Sequence, residues 1–302
     1  MFRNRRMPNG MSEEAQSRGH AVWEGHPAKG PSTRFRRETL SYNLNSLYSK
    51  PRRGVFFMSG SLPLILALDT AQEDCAAALL KGTERIASRV ETVGSRHSEL
   101  ILPMVRDLLA EAGVDKARLG LIAFGAGPGS FTGLRVACGV AQGLAWALEC
   151  MTAPVSSLEA QAEWLKDEEH LSAGEVVAVL NDARMHECYG GVWRVPENPD
   201  ARLELVAGPE IVAPADAMKF LSAYGARHLV GSAELVYGDE MVLDDAVCHV
   251  ASRSSQPEAI GRIAARMAAA GEVVSPELAA PVYVRNRVAL TMAERARGER
   301  LQ

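Results

Sequence analysis

Two short stretches carry residue types suited to phosphate chemistry. The first, AFGAGPGSFTGLRVACGVAQGLAWALE, runs from Ala123 to Glu149. In it Gly125, Gly127, Pro128 and Gly129 precede Ser130 and a helix-forming run. Free backbone N–H groups and the positive end of a helix dipole would attract an anion at such a place. The second stretch is Asp69–Thr70, at the end of the apolar run LILALD. An acid there could hold Mg²⁺ beside a phosphate. Neither stretch is complete. The loop lacks the terminal G-K-[ST] of a P-loop, and no acid follows at a second strand end as a dinucleotide site requires. Ser130 lacks both outer glycines of a G-x-S-x-G nucleophile elbow. The turn Asp69-Thr70-Ala71-Gln72-Glu73-Asp74 has no glycine for close backbone approach, and its extra acids repel a triphosphate. A weak nucleotide contact through Asp69, Thr70, Gly127, Gly129 and Ser130 therefore stands beside a plainer alternative, a tight strand-to-helix turn.

Metal chemistry has less support. There is no H-E-x-x-H, and His97, His170 and His228 are isolated in sequence. Period-two alternation puts His186 and Cys188 on one strand face, and Cys248 adjoins His249. Both pairs read as incidental, so no metal site is expected. Asp182, in NDAR at a strand end, could organise magnesium, but its arginine neighbour points to an ion pair. The five cysteines are scattered without a C-x-x-C pair, which suits a reducing cytosol and a cytoplasmic location. No apolar run approaches the roughly 20 residues that span a bilayer, so no membrane association is expected.

The elements that position these residues follow from the bulk numbers and the periodicity. At 302 residues, 47% of them apolar, the chain can build one large or two medium cores. Eleven Lys/Arg against four Asp/Glu give residues 1–57 a charge of +7, which leaves −11 of the overall −4 on the rest. That acidic body argues against independent nucleic-acid binding. Residues 1–57 lack apolar periodicity and read as a disordered basic leader or an over-extended start, since Met58 directly precedes SGSLPLILALDT.

LILALD, CAAALLK and ERIASRVET form a meander of three strands. A helix over His97–Ala112 follows, with Pro103 taken into its first turn. LGLIAFGA is a fourth strand, Phe131–Glu149 a second helix and MTAPV a fifth strand. This order is that of the ribonuclease-H-like lobe of sugar kinases and actin. The expected fold is α/β, an actin-like, sugar-kinase-like (ASKHA) two-lobe architecture with mixed sheet and flanking helices. The first lobe should cover 58–157 and the second, smaller one 158–302, with a C-terminal segment returning to the first.

ILALDTAQEDCAAALL, RHSELILPMVRDLL, GPGSFTGLRVACGVAQGLA, NDARMHECY and PVYVRNRVA occur in the order and spacing of bacterial TsaB, also called YeaZ. The chain resembles that family from Leu64 to Ala289. The resemblance implies a non-catalytic scaffold in the machinery that installs threonylcarbamoyladenosine on tRNAs reading codons that begin with A. Its implied partners are TsaD, the transferase it resembles, and the ATPase TsaE in the assembled complex. A second copy is implied when the protein is alone, and tRNA is met only through the complex. No intrinsic cofactor is implied; ATP and Mg serve the assembly. TsaD-type proteins carry H-x-x-x-H where this chain reads PVSSLEAQ, so Ser157 and Gln161 occupy the two histidine positions. Neither competes for a transition metal. The alternative function is a stand-alone actin-like ATPase or a glycopeptidase-like hydrolase.

The second helix is apolar nearly all round and needs cover on both sides. One side can lie on the sheet. Gly139 and Gly143 form a notch without side chains, flanked by Val136, Val140 and Trp146. Leu100, Ile101, Met104, Val105 and Leu108 form the apolar stripe of the first helix. Together these predict a helix-pair surface for a similar pair on a partner. The alternative is a helix buried between sheet and second lobe.

Overall fold

The computed structural model describes residues 62–252, 254–285 and Arg297; the expected leader lies outside the described residues. The first lobe is built from β1 (Leu64–Asp69), β2 (Asp74–Lys81), β3 (Glu84–Thr92), α1 (His97–Glu111), β4 (Leu119–Gly127), α2 (Phe131–Ala147) and β5 (Met151–Ser156). Its sheet has the order β3-β2-β1-β4-β5. β1, β2 and β3 pair antiparallel, while β4 and β5 run parallel to β1. β1 is buried along its whole length and β4 nearly so, which explains why both read as continuous apolar runs rather than alternating ones. Pro103 is the seventh residue of α1, beyond the expected first turn. It is tolerated there because Pro103 and Glu99, whose carbonyl loses its helical donor, both face solvent.

The second lobe contains β6 (Val176–Asp182), β7 (Cys188–Arg194), β8 (Glu204–Val212), α4 (Ala217–Tyr224), β9 (His228–Gly231), α5 (Ala233–Tyr237) and β10 (Cys248–Ala251). The order β10-β9-β6-β7-β8 repeats the first sheet, with a three-stranded meander and two parallel additions. Each sheet is thus one copy of the same strand-strand-strand-helix-strand-helix-strand plan. The molecule is a two-lobe α/β protein of the actin-like type.

Two further helices join the lobes, and they cross over. α3 (Ser157–Glu168) follows the first sheet but buries Leu158, Ala162 and Leu165 against Val177, Val179 and Trp193 of the second. α6 (Pro257–Ala270) follows the second sheet but buries Ile260, Ile263 and Met267 against Ile65, Ala67 and Leu80 of the first. Gly261 lets it approach, because a Cβ there would collide with the Leu80 side chain. After α6, Val274 exchanges two 2.8 Å backbone hydrogen bonds with Thr152 of β5. The chain then runs beside α2, where Gln142 Nε2 donates to the Ala279 carbonyl at 2.9 Å.

Candidate functional site

The glycine loop meets the chain's own backbone. A Cβ at Gly129 would run into the Ala71 carbonyl, one at Gly133 into the Thr70 carbonyl, and one at Gly127 into the Val282 carbonyl. Ser130 N–H donates to Ala71 O at 2.8 Å, and the Ser130 hydroxyl caps α2 by accepting from Gly133 N–H at 3.3 Å. Thr70 Oγ1 donates to Gly133 O at 2.7 Å, and Val282 N–H to Ala126 O at 2.7 Å. The first turn thus occupies the Ser130 N–H, one of the loop's donors, and the C-terminal segment occupies an acceptor, the Ala126 carbonyl.

Asp69, Thr70 and Gly127 are buried, so of the five candidate nucleotide contacts only Gly129 and Ser130 line open space. Asp69 accepts from Ala71 N–H at 2.9 Å. Burial pushes its carboxyl up to about 6, against the pull of that N–H.

The open space is a cleft of about 720 Å³ between the lobes. Ala71, Gln72, His97, Gly129 and Phe131 line it from the first lobe, and Asp182, Arg184, Ser232, Val236 and Arg285 face them. Asp182 does form the ion pair foreseen from its neighbour: its Oδ2 lies 3.0 Å from Arg184, and its Oδ1 accepts from Tyr237 Oη at 2.7 Å. The pairing of His186 with Cys188 on one strand face fails. Arg184, Met185 and His186 form a turn with φ of 62°, 59° and 56°, and β7 begins only at Cys188. Asp182 supports that turn by accepting from Arg184 N–H at 2.7 Å.

Ser157 and Gln161 have structural partners. Ser157 Oγ accepts from Gly127 N–H at 3.3 Å, and Gln161 Oε1 from Asn181 Nδ2 at 2.7 Å. Ser157 thus joins α3 to the glycine loop, and Gln161 joins α3 to β6 of the second lobe. Among the described residues no group of three or more His, Cys, Asp or Glu is disposed to hold a metal ion.

The outer face of α1 and α2 has a different character. Leu134, Ala137, Cys138, Ala141 and Ala145 carry the inner face of α2 onto the sheet. Gly139 and Gly143 point outward, and nothing lies within 4 Å of where a Cβ would stand at either. Val136 and Val140 are half-buried beside them, and Trp146 is 70% exposed. Among the described residues nothing covers the outer side of α2 at Gly139 and Gly143, so the alternative of a helix buried between sheet and second lobe does not hold there. The α1 stripe needs correction: Ile101, Met104, Val105 and Leu108 are at most 5% exposed and belong to the core under α1. A side chain already used against the sheet cannot also meet a partner. Leu100 is half-buried at the margin. Leu102, 50% exposed, is the apolar residue of α1 that faces out, one step off the stripe that periodicity picked.

Known proteins are similar to this chain over much of its length. A family model described as TsaD, tRNA N6-adenosine threonylcarbamoyltransferase, matches residues 86–235. The tRNA threonylcarbamoyladenosine biosynthesis protein TsaB of Escherichia coli (strain K12) is 38% identical over 237 residues, 74% of this chain and 96% of that protein. The chain belongs to the TsaB family. The TsaB of Haemophilus influenzae is 42% identical over 126 residues, 41% of this chain and 51% of that protein. The solved structure of YeaZ from Pseudomonas aeruginosa is 36% identical with a TM-score of 0.65, covering 74% of this chain and 100% of the other. The YeaZ structure is matched along its whole length, so the overall fold of this chain is that of a TsaB-type protein.

Proposed function

We propose that this chain is a non-catalytic subunit in tRNA threonylcarbamoyladenosine formation, and that it acts by docking a TsaD-type transferase on the outer face of α1 and α2. The observation that carries this reading is the Gly139/Gly143 notch. It leaves a bare stretch of helix backbone at the surface, bordered by Val136, Val140 and an exposed Trp146. Tryptophan beside a concave backbone is the kind of anchor that dominates interface energetics. TsaE would join the assembled pair, and a second copy would occupy the same face when the chain is alone. The acidic body favours meeting tRNA through the complex rather than directly. ATP and Mg would serve the assembly, in the cytoplasm, with no cofactor resident in this chain. The reading draws on the hydrogen-bonded Ser157 and Gln161, on the buried Asp69, and on the glycine loop filled by backbone. A stand-alone ATPase has no comparable support.

Gly143→Arg tests the surface. A long cation there should prop a partner helix away at a cost of about 3 kcal/mol or more in complex formation. Because no described residue lies within 4 Å of where a Cβ at Gly143 would stand, the variant should keep its fold. Circular dichroism reports folding and size-exclusion with TsaD reports assembly. A folded variant that still assembles normally would remove this face from consideration.

A further inference from the structure

The lobe junction carries an ionic ladder. Glu159, Glu163 and Asp167 recur every four residues on α3 and so share one face. Glu163 Oε1 accepts from Arg266 of α6 at 2.6 Å, and Asp167 Oδ2 lies 2.9 Å from Arg262. As the number rises along α3 it falls along α6, so the two helices pair antiparallel. At the other end Arg202, from the loop between β7 and β8, forks onto both oxygens of Glu159 at 3.1 and 2.8 Å. Its remaining arm reaches Glu272, just past α6, at 2.6 Å. Glu163 and Glu159 are almost fully buried, with side chains 1% and 6% exposed.

A strap crosses on the cleft side. Its Val282 bonds Ala126, and its Tyr283 ring lies tilted against Phe131, centroids 5.5 Å apart, while the Tyr283 hydroxyl accepts from Arg135 Nε at 3.1 Å. Two residues later Arg285 binds the second lobe through the carboxylate of Glu187, the carbonyl of Arg184 at 3.3 Å and the sulfur of Met185 at 3.4 Å. The lobes are thus tied at the back by the ladder and at the front by the strap.

We propose that ladder and strap together lock the two lobes at one angle, so that the cleft does not open and close around a ligand as hinged and sheared two-domain proteins do. Burial of small apolar side chains between α3 and α6 would by itself permit sliding, because it is not directional. The ladder is directional. A slide of one helical turn, about 5.4 Å, would part the buried Glu163 from Arg266, Asp167 from Arg262 and Arg202 from Glu272. The forked geometry of Arg202 leaves little tolerance in rotation either.

The test uses the full chain with Cys248→Ser and paired spin labels at Ser95→Cys and Val236→Cys, on opposite walls of the cleft. Pulsed electron resonance should give one narrow distance distribution, unchanged by ATP with magnesium. Arg202→Met with Arg285→Met should broaden it or add a second distance while circular dichroism is retained. A broad or ATP-responsive distribution in the parent, or an unchanged one in the variant, overturns the lock. If the double variant does not fold, Glu163→Gln removes one buried charge while keeping shape. Amide exchange in α3 and α6 should then accelerate roughly a hundredfold, and no acceleration counts equally against the proposal. Neither result depends on partner docking.

Discussion

Asp69 shows how one side chain in a turn that could face phosphate can be committed to its own backbone. It closes β1, accepts from Ala71 N–H and lies beneath Gly125, where a Cβ would press on its Oδ1 at 2.5 and its carboxyl carbon at 3.0 Å. The cost of burying its charge outweighs that hydrogen bond, and its folded pKa rises from 3.8 to about 6. A raised carboxyl pKa makes stability fall as pH rises. Below about pH 4 the group is protonated in both states, and between about 4 and 6 the unfolded chain releases its proton first. Above 6 the full cost is present, roughly 3 kcal/mol for a difference of this size. Asp69→Asn keeps an acceptor for Ala71 without the charge. Its stability advantage over the parent in urea titrations should therefore be small at pH 4 and grow toward pH 7. An advantage independent of pH would contradict the assignment. The sequence already placed this acid at a strand end. It did not reveal that Gly125 and Gly133 serve close approach to the first turn, because a glycine pattern looks alike whether backbone or phosphate fills it.

At the scale of elements, α1 and α2 divide their work by face, and the sequence reading divided it imperfectly. Periodicity located both helices to within two residues and put Gly139 and Gly143 on one line. It could not say which apolar stripe faces the sheet, since both helices are apolar over more than half a turn. Ile101 went inward and Leu102 outward. The second lobe was harder for a different reason. β9 and β10 have four residues each and α5 has five, too short for any period to emerge. The division by face yields a contrast between two substitutions. Trp146→Ala should leave thermal stability within about 0.5 kcal/mol of the parent, because the side chain is 70% exposed. It should weaken assembly with TsaD by about 2 kcal/mol. Ile101→Ala should do the reverse, costing about 2–5 kcal/mol of stability through a cavity, with no selective effect on assembly. Calorimetric titration beside thermal melts separates them. Equal effects of both variants on both measurements would dissolve the division.

The whole molecule repeats one lobe plan twice, yet the two lobes are not independent. Each sheet is covered on its inner side by a helix that the other half of the chain contributes most of the way to. α6 shields Ile65, Ala67 and Leu80, and without it those side chains would meet water on the first lobe's inner face. α3 does the same for Val177 and Val179 of the second lobe. Detaching one lobe therefore strips apolar cover from the other and leaves Glu159 and Glu163 without their arginines. Partly unfolded states are costly for both reasons, and the two lobes should melt together. Differential scanning calorimetry should show one transition whose calorimetric and van't Hoff enthalpies agree, as two-state unfolding requires. Substitutions in either lobe should move that single transition. Ile263→Ala on α6 and Val179→Ala on β6 should both lower it, without splitting off a second peak. Two resolved transitions, or a van't Hoff enthalpy about half the calorimetric one, would mean that crossed helices do not couple the lobes.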